Sequence, residues 1–203
     1  SIYVPHDNVD ELPDEMKRLV IGFYLNDVKD ASGFYRMKGY IEALLAVSHA
    51  GAAEYAPCTT DTAFHPGRCA TVSVNGKQIG IFGEVHPEVA SNYGINAPTY
   101  VAQLDFDAMF DARVEVVEYV ALPKYPALER DFSFVCDEET PVAQLESCMK
   151  RAGGALLESV RLFDIYRGPQ IGEGKKSVSF AVMLRAADRT LTDEEADSTV
   201  KKI

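Results

Sequence analysis

The chain has 203 residues, 47% of them hydrophobic, and a formal net charge of −11 at pH 7. This length allows one large domain or two small ones, each with its own core. The acidic balance excludes a protein that coats nucleic acid non-specifically, because such binding needs many Lys and Arg contacts to phosphate; it leaves a local site open.

Charge is unevenly distributed along the chain. Residues 1–123 hold 8 Lys and Arg against 17 Asp and Glu, a net of −9, whereas residues 124–203 hold 12 against 14, a net of −2. Between residues 141 and 189, eight basic residues outnumber five acidic ones, which is a modest nucleic-acid signal. With the prolines at 123 and 126, this shift predicts two domains, residues 1–121 and 122–203.

The cysteines and the chain ends bear on where the protein is located and on whether the chain is part of a longer protein. Cys58, Cys69, Cys136 and Cys148 form no CxxC pair, and no apolar run has the length of a membrane span or signal sequence. We therefore predict a cytoplasmic protein with reduced thiols. The abrupt opening at Ser1 and the closing Ile203 within a helical pattern suggest a fragment of a longer protein.

The first predicted elements are a strand and a helix. Residues 18–25, RLVIGFYL, are rich in β-forming side chains and are short enough for a buried strand. A helix is expected from about Gly33, because apolar residues then recur at spacings of three and four. This apolar stripe comprises Phe34, Met37, Ile41, Leu44, Leu45 and Val47.

Three shorter elements complete the first region, which we predict to be a mixed α/β body. Asn75-Gly76 accepts positive φ angles and predicts a tight hairpin between two strands. His86-Pro87 begins a short helix that ends before Gly94. Residues 99–106 predict a strand with one apolar side, formed by Tyr100, Ala102, Leu104 and Phe106.

The second region is predicted as strand, helix, strand, strand, helix. The strands cover about residues 130–136, 158–166 and 176–185, and Thr192 with Glu195 forms a capping box that opens the last helix. This order is the ferredoxin-like pattern lacking its final strand, which would pair beside the first. The first helix begins at Thr140-Pro141, ends at Gly153-Gly154, and buries Val142, Leu145, Met149 and Ala152.

Both helices of such a fold cover one face of the sheet, so strand periodicity predicts the other face. On the second strand, Phe163 and Ile165 are expected under the helices, and Leu162, Asp164 and Tyr166 on the open side. The third strand would bury Val178, Phe180, Val182 and Leu184 and leave Ser177, Ser179, Ala181, Met183 and Arg185 open. The first strand, next to the third, would add Asp131, Ser133 and Val135.

This open side has the chemistry to hold a nucleic-acid base. Tyr166 can stack on a base, Asp164 can accept from guanine N1–H and N2–H, and Ser177 can bond a base or backbone oxygen. An ordinary solvated sheet surface is the alternative, since an exposed Tyr near an Asp is common.

Other motifs give weaker evidence for a functional site. His65 and His86 could form a zinc site with Cys69, but no ligand pair has the usual close spacing. The loop from Gly168 to Lys176 lacks the Gly-Lys-[Ser/Thr] ending of a phosphate loop and leads into a strand. Since no acid/base pair, activated nucleophile or metal cluster emerges, we predict no catalytic activity for this fragment.

Eight motifs in chain order together point to a known family. The second region contains Lys124-Tyr-Pro126, Arg130-Asp131, Leu162-Phe-Asp-Ile-Tyr-Arg-Gly168, Gly174-Lys-Lys-Ser177 and Arg189-Thr-Leu-Thr-Asp-Glu-Glu195. The first contains Phe34-Tyr-Arg-Met-Lys-Gly-Tyr-Ile-Glu-Ala-Leu-Leu45, Phe64-His-Pro-Gly-Arg-Cys-Ala70 and Gly80-Ile-Phe-Gly-Glu-Val-His-Pro87. With these motifs the chain resembles the C-terminal portion of the bacterial phenylalanine–tRNA ligase beta subunit. The second region is similar to its ferredoxin-fold anticodon-binding domain, and the first to the later part of its non-catalytic class II synthetase-like domain.

The resemblance implies a division of labour. In this family, with two alpha and two beta subunits, the alpha subunit ligates phenylalanine to tRNA(Phe) with ATP and Mg2+, and the beta subunit supplies tRNA contacts. It implies an anticodon site of Asp164, Tyr166 and Ser177 with Ser133 beside them, Tyr166 stacking on the first anticodon base, a guanine. Candidate phosphate contacts are Arg167, Lys175 and Lys176. No metal ligand or cofactor is implied within this fragment, and the serine usual in the family at Cys69 argues against a functional thiol there.

Two other functions stay open on the sequence. The acidic first region could serve as an assembly surface for the alpha subunit without RNA binding by this fragment. A small-molecule sensor is the third reading, because ferredoxin-like folds often host one, although no pocket motif supports it.

Overall fold

The computed structural model describes residues 1–8, 10–27, 30–113, 119 and 121–203. These residues form two compact units, Ser1–Glu118 (unit 1) and Tyr119–Ile203 (unit 2). Both units mix helices with antiparallel sheets, so the chain has an α+β fold, in line with the mixed body and the ferredoxin-like order expected from the sequence. No helix within the described ranges is long and apolar enough to cross a membrane.

Unit 1 is built on a five-stranded antiparallel sheet with strand order β3-β7-β6-β5-β4, and β1 pairs with β2 separately. Its strands are β1 (Ile2–Val4), β2 (Asp14–Met16), β3 (Arg18–Tyr24), β4 (Ala53–Pro57), β5 (Phe64–Val74), β6 (Lys77–Val85) and β7 (Thr99–Asp105). Its helices are α1 (Gly33–Val47), α2 (Pro87–Asn92) and α3 (Phe106–Asp111).

The core of unit 1 lies between α1 and one face of this sheet. Met37, Ile41 and Leu45 of α1 are buried against side chains of β5, β6 and β7. The helix approaches closely because Gly33 has no side chain: a Cβ there would lie 2.1 Å from the Tyr100 ring. The Asn75-Gly76 hairpin is confirmed, with φ angles of 52° and 75°.

Two predictions in unit 1 were wrong at element ends. Val47, placed in the apolar stripe of α1, is 80% exposed, because the helix ends there and the stripe has rotated away from the sheet. Phe106, placed in a strand, begins α3 instead. Asp105 caps that helix by accepting from the Ala108 N–H at 2.9 Å, so the strand stops one residue earlier.

Unit 2 has a described sheet of three strands in the order β8-β10-β9, all antiparallel. The strands are β8 (Leu128–Asp137), β9 (Leu157–Tyr166) and β10 (Lys175–Leu184), and the helices are α4 (Val142–Gly153) and α5 (Asp193–Val200). A single 3-10 turn, Gly154–Leu156, separates α4 from β9. The predicted order of elements and the pairing of the first with the third strand are confirmed.

Helix α4 covers one face of this sheet. Met149 packs with Val178 and Phe180 of β10, while Val142 and Leu145 lie against the same cluster. Ala152, predicted in this stripe, is exposed, and Gly153 is buried in its place. Helix α5 begins at the predicted capping box and is tied to β8 by Arg130, which lies 2.5 Å from Asp193.

Candidate nucleic-acid interface

The face of the unit 2 sheet opposite α4 carries the residues predicted to bind a base. Residues on one side of a strand alternate, and the core side is occupied by Val178, Phe180 and Ile165. Tyr166 and Asp164 of β9, Ser177 of β10 and Ser133 of β8 therefore lie on the other side. We call these four residues the open-face patch.

Strand register brings the open-face patch into two adjacent rows across the sheet. Ser177 is opposite Tyr166 on one side and Val135 on the other. In the next row, Ser179 is opposite Asp164 and Ser133. Neighbouring strands are about 5 Å apart, so the patch reaches about 10 Å across the three strands.

The sequence had placed Ser179 on the open side without a role, and the structure shows one. Its hydroxyl is 2.7 Å from the Ser133 hydroxyl, and Ser179 is nearly buried. This hydrogen bond holds Ser133 in the same row as Asp164, on the far side of Ser179. The period-two pattern gave the face of both serines, but the pairing needed the strand register.

Tyr166 is the aromatic surface of the patch and is 44% exposed. Its ring lies over the chain at Gly168, where a Cβ would be 2.3 Å from the Tyr166 Oη. Any side chain at residue 168 would therefore push the ring aside. Gly168 is a positioning residue for Tyr166, and only its place two residues after the tyrosine could have pointed to it.

One face assignment on β9 was wrong. The pairing slips between Ser179, opposite Asp164, and Phe180, opposite Leu162, so Phe163 is an extra residue, a β-bulge. Leu162 packs in the core, whereas Phe163 is 49% exposed. The prediction had these two residues reversed, because period-two counting assumes an unbroken ladder.

The candidate phosphate contacts differ in availability. Lys175 is exposed at the start of β10. Lys176 is only 7% exposed, because it lies opposite Cys136 on the core side, and its Nζ donates to the Glu138 carbonyl oxygen at 2.7 Å. A buried lysine engaged in this way cannot reach a phosphate on the open face, which corrects its predicted role.

Arg167 follows Tyr166 and is already paired. Its Nε and Nη2 both donate to the Glu138 carboxylate, at 3.0 and 2.7 Å. The Arg167 guanidinium holds the pKa of Glu138 below its usual range. A phosphate would therefore have to compete with this carboxylate for Arg167.

The histidines and Cys69 of unit 1 do not form a metal centre. Within the described residues, no three His, Cys, Asp or Glu side chains are placed to hold a metal ion. His65 Nδ1 accepts from the Gly67 N–H, and His86 Nδ1 accepts from the Glu88 N–H, which is the cap of α2. Both histidines thus serve local turns.

Two family descriptions match the chain. Residues 123–203 match a ferredoxin-fold anticodon binding domain, and residues 1–106 match the phenylalanyl tRNA synthetase beta chain CLM domain.

The chain is similar to beta subunits of phenylalanine–tRNA ligase from several bacteria. The one from Clostridium acetobutylicum is 37% identical and the one from Clostridium tetani 39% identical, each over 100% of this chain and 25% of the relative. The Bacillus subtilis subunit is 39% identical over 84% of this chain and 21% of its own length. The chain thus spans about a quarter of the length of these relatives.

Proposed function

The chain belongs to the phenylalanine–tRNA ligase beta subunit family, and on that premise we propose that it recognises the anticodon of tRNA(Phe) through the open-face patch. An alpha subunit would ligate phenylalanine to the tRNA with ATP and Mg2+, in a cytoplasmic assembly of two alpha and two beta subunits. The observation that carries the proposal is the convergence of Asp164, Tyr166 and Ser177 on two neighbouring rows of one sheet face, where Asp164 and Tyr166 are exposed.

Each residue of the patch has a chemical task. The Tyr166 ring stacks on the first anticodon base, a guanine, and the Asp164 carboxylate accepts from the guanine N1–H and N2–H. Ser177, beside Tyr166, bonds a base or sugar oxygen, and Ser133 borders the next base. Lys175 supplies the phosphate contact at the margin of the patch.

ATP and Mg2+ belong to the alpha subunit in this proposal. The described residues offer no cluster of carboxylates fitted to a metal ion, so we assign no ligand to either group in this chain.

Two finer features of the fold are also proposed. Residues 1–121 form the later part of a non-catalytic class II synthetase-like domain, consistent with the antiparallel sheet backed by α1. Residues 122–203 form the ferredoxin-like domain, whose last strand would pair beside β8.

The deciding experiment replaces the stacking ring. Tyr166→Ala in the complete ligase should weaken binding of tRNA(Phe) by about 1 to 3 kcal/mol, because base stacking on an aromatic ring contributes that much. The variant should also lose preference for the native first anticodon base over a tRNA changed there. Tyr93→Ala, at an exposed tyrosine of unit 1, is the matched control and should bind normally.

Unchanged tRNA affinity and aminoacylation in Tyr166→Ala would contradict the proposal. The second candidate function would then apply, assembly with the alpha subunit without RNA binding by this fragment. It is favoured by Tyr35 and Tyr40, two exposed aromatic side chains on α1. Binding of the fragment to alpha subunit but not to tRNA would establish it.

A further inference from the structure

The β-bulge of β9 gives the open face a second aromatic ring. Leu162 and Ile165 both pack in the core, yet two residues separate them, where regular alternation would allow only an odd number. Phe163 and Asp164 must therefore share the open side, as the two residues of a bulge do. Phe163 is half-exposed and stands outside the core cluster.

We propose that Phe163 is a second stacking residue, which holds the base next to the one stacked on Tyr166. This inference rests on the proposed function of the open-face patch. Phe163 and Tyr166 are three residues apart on one strand, about 10 Å at 3.3 Å per residue. Two aromatic rings on a sheet face commonly stack two successive bases of single-stranded RNA.

The position of Phe163 suits contact with an RNA base better than packing in the core. Asp164 stands between the two rings, so a base on each ring would flank the carboxylate that reads guanine. Stacking is tolerant of base identity, since every base has a π face. Phe163 therefore contributes affinity, while Asp164 and Tyr166 contribute selectivity for the first base.

Three substitutions of Phe163 in the complete ligase distinguish the effect of its aromatic ring from the effect of its volume. Phe163→Ala should weaken binding of tRNA(Phe) about 5- to 140-fold, the range that loss of one stacked base produces. Phe163→Leu keeps apolar bulk without a ring and should also bind weakly, whereas Phe163→Tyr keeps the ring and should bind normally. Thermal unfolding of each variant identifies any loss that comes from misfolding.

The base is identified with tRNA that lacks the second anticodon base. Phe163→Ala should cause no further loss with this tRNA, because the stacking partner is already gone. Normal binding by Phe163→Ala and Phe163→Leu, with a loss in Tyr166→Ala, would overturn the role of Phe163 and leave the proposed function standing. Normal binding by Phe163→Ala, Phe163→Leu and Tyr166→Ala would overturn both the role of Phe163 and the proposed function. A loss of binding in Phe163→Tyr as large as in Phe163→Ala would overturn stacking by the ring.

A separate pair of cysteines in unit 1 carries an independent inference. Pro57 of β4 is opposite Ala70 of β5, so the next positions, Cys58 and Cys69, face each other. The Cys58 N–H donates to the Cys69 carbonyl oxygen at 3.0 Å, which ties the two residues across the strands. Hydrogen-bonded facing residues have Cα atoms about 5.5 Å apart, within the range of a disulfide.

The geometry points to an oxidation site in which Cys58 and Cys69 close into a cross-strand disulfide with a hydroperoxide as oxidant. The Cys58 sulfur attacks a peroxide oxygen, the O–O bond breaks, and a sulfenic acid forms as water or alcohol leaves. The Cys69 sulfur then attacks the Cys58 sulfur, the S–O bond breaks, and the departing hydroxide takes the Cys69 proton as water.

The two thiols have unequal roles in this reaction. The Thr60 hydroxyl, 3.6 Å from the Cys58 Sγ, lowers the pKa of Cys58, which favours the reactive thiolate. Burial raises the pKa of Cys69 to about 12, so Cys69 stays a thiol and acts second.

Peroxide treatment of the full chain, followed by alkylation and peptide mass spectrometry, tests the pair. We expect a peptide linking Cys58 to Cys69, and in Cys69→Ser an unlinked Cys58 sulfenic acid instead. Cys148, which is exposed, is the internal comparison. Oxidation of Cys148 while Cys58 and Cys69 both remain alkylatable thiols, or a sulfinic acid at Cys58 beside a free Cys69, would overturn the inference.

Discussion

Tyr100 is a buried side chain that helps to hold a carboxylate in the interior of unit 1. The residue is 2% exposed, and its hydroxyl donates to the Glu84 Oε2 at 3.0 Å. Arg68 donates to the same oxygen at 2.6 Å, so the carboxylate has a cation and a phenol as partners. Glu84 is tolerated in the interior because both partners satisfy it.

This environment predicts an alkaline limit to the stability of unit 1. Burial, followed by the hydrogen bond and charge of Glu84, raises the pKa of Tyr100 to about 12, above its ordinary value of 10. As pH rises from 10 to 12, the unfolded chain releases this proton and the folded chain keeps it. The free energy of unfolding should therefore fall by about 2 to 3 kcal/mol across that window.

Urea unfolding at pH 9 and pH 12, with Tyr100→Phe as the reference, measures this contribution. The variant lacks the titrating hydroxyl, so its loss of stability over the same window should be smaller by the contribution of Tyr100. Equal pH dependence in the two proteins would contradict the assignment.

At the scale of elements, the β5–β6 hairpin depends on backbone conformation more than on contacts. Gly76 has a φ of +75°, and a Cβ there would meet nothing within 4 Å. Gly76→Ala should still lower the free energy of unfolding by about 1 to 2 kcal/mol, because an L-residue is strained in the left-handed region.

Gly39 is the matched control, with an expected effect of opposite sign. It lies on the exposed side of α1, where a Cβ also meets nothing within 4 Å. Gly39→Ala should raise the free energy of unfolding by about 1 kcal/mol, since alanine has the higher helix propensity. Chemical unfolding of both variants checks the pair, and an unchanged or higher free energy of unfolding in Gly76→Ala would show that the left-handed conformation at Gly76 causes no strain.

At the scale of the whole molecule, binding of RNA has to overcome a net charge of −11. Much of the basic surface of unit 2 is balanced within the unit: Arg185 pairs with Glu158, Arg189 with Glu195 and Arg167 with Glu138. Affinity should therefore come mainly from stacking and base hydrogen bonds, and its dependence on salt should be shallow.

Lys175 should contribute one phosphate contact to the salt dependence of RNA binding. Lys175→Ala should reduce the slope of log K against log salt by about 0.7 to 1, while leaving the preference for the first anticodon base unchanged. Titrations of the chain with an anticodon stem-loop at several salt concentrations measure the slope. Lys77→Ala, at an exposed lysine of unit 1, should not change it, and an unchanged slope in Lys175→Ala would remove Lys175 from the site.

Local sequence patterns predict the features that depend on a few neighbouring residues. The Asn75-Gly76 turn, the Thr192 capping box and the start of α1 at Gly33 follow from local backbone preferences, and all three are confirmed. The faces of Asp164 and Tyr166 followed from period two within one strand. Such features can be predicted from the sequence because they depend on interactions between residues that are close along the chain.

Features that depend on which strand lies opposite emerge only when the chain is folded. The bulge that exchanges Leu162 and Phe163 arises in the register with β10, and Lys176 is buried through its contact with Glu138. The facing of Cys58 and Cys69 likewise needs the pairing of β4 with β5. Hydrogen bonds between distant residues fix register, and a slip of one residue reverses every side chain beyond it, which local sequence patterns do not encode.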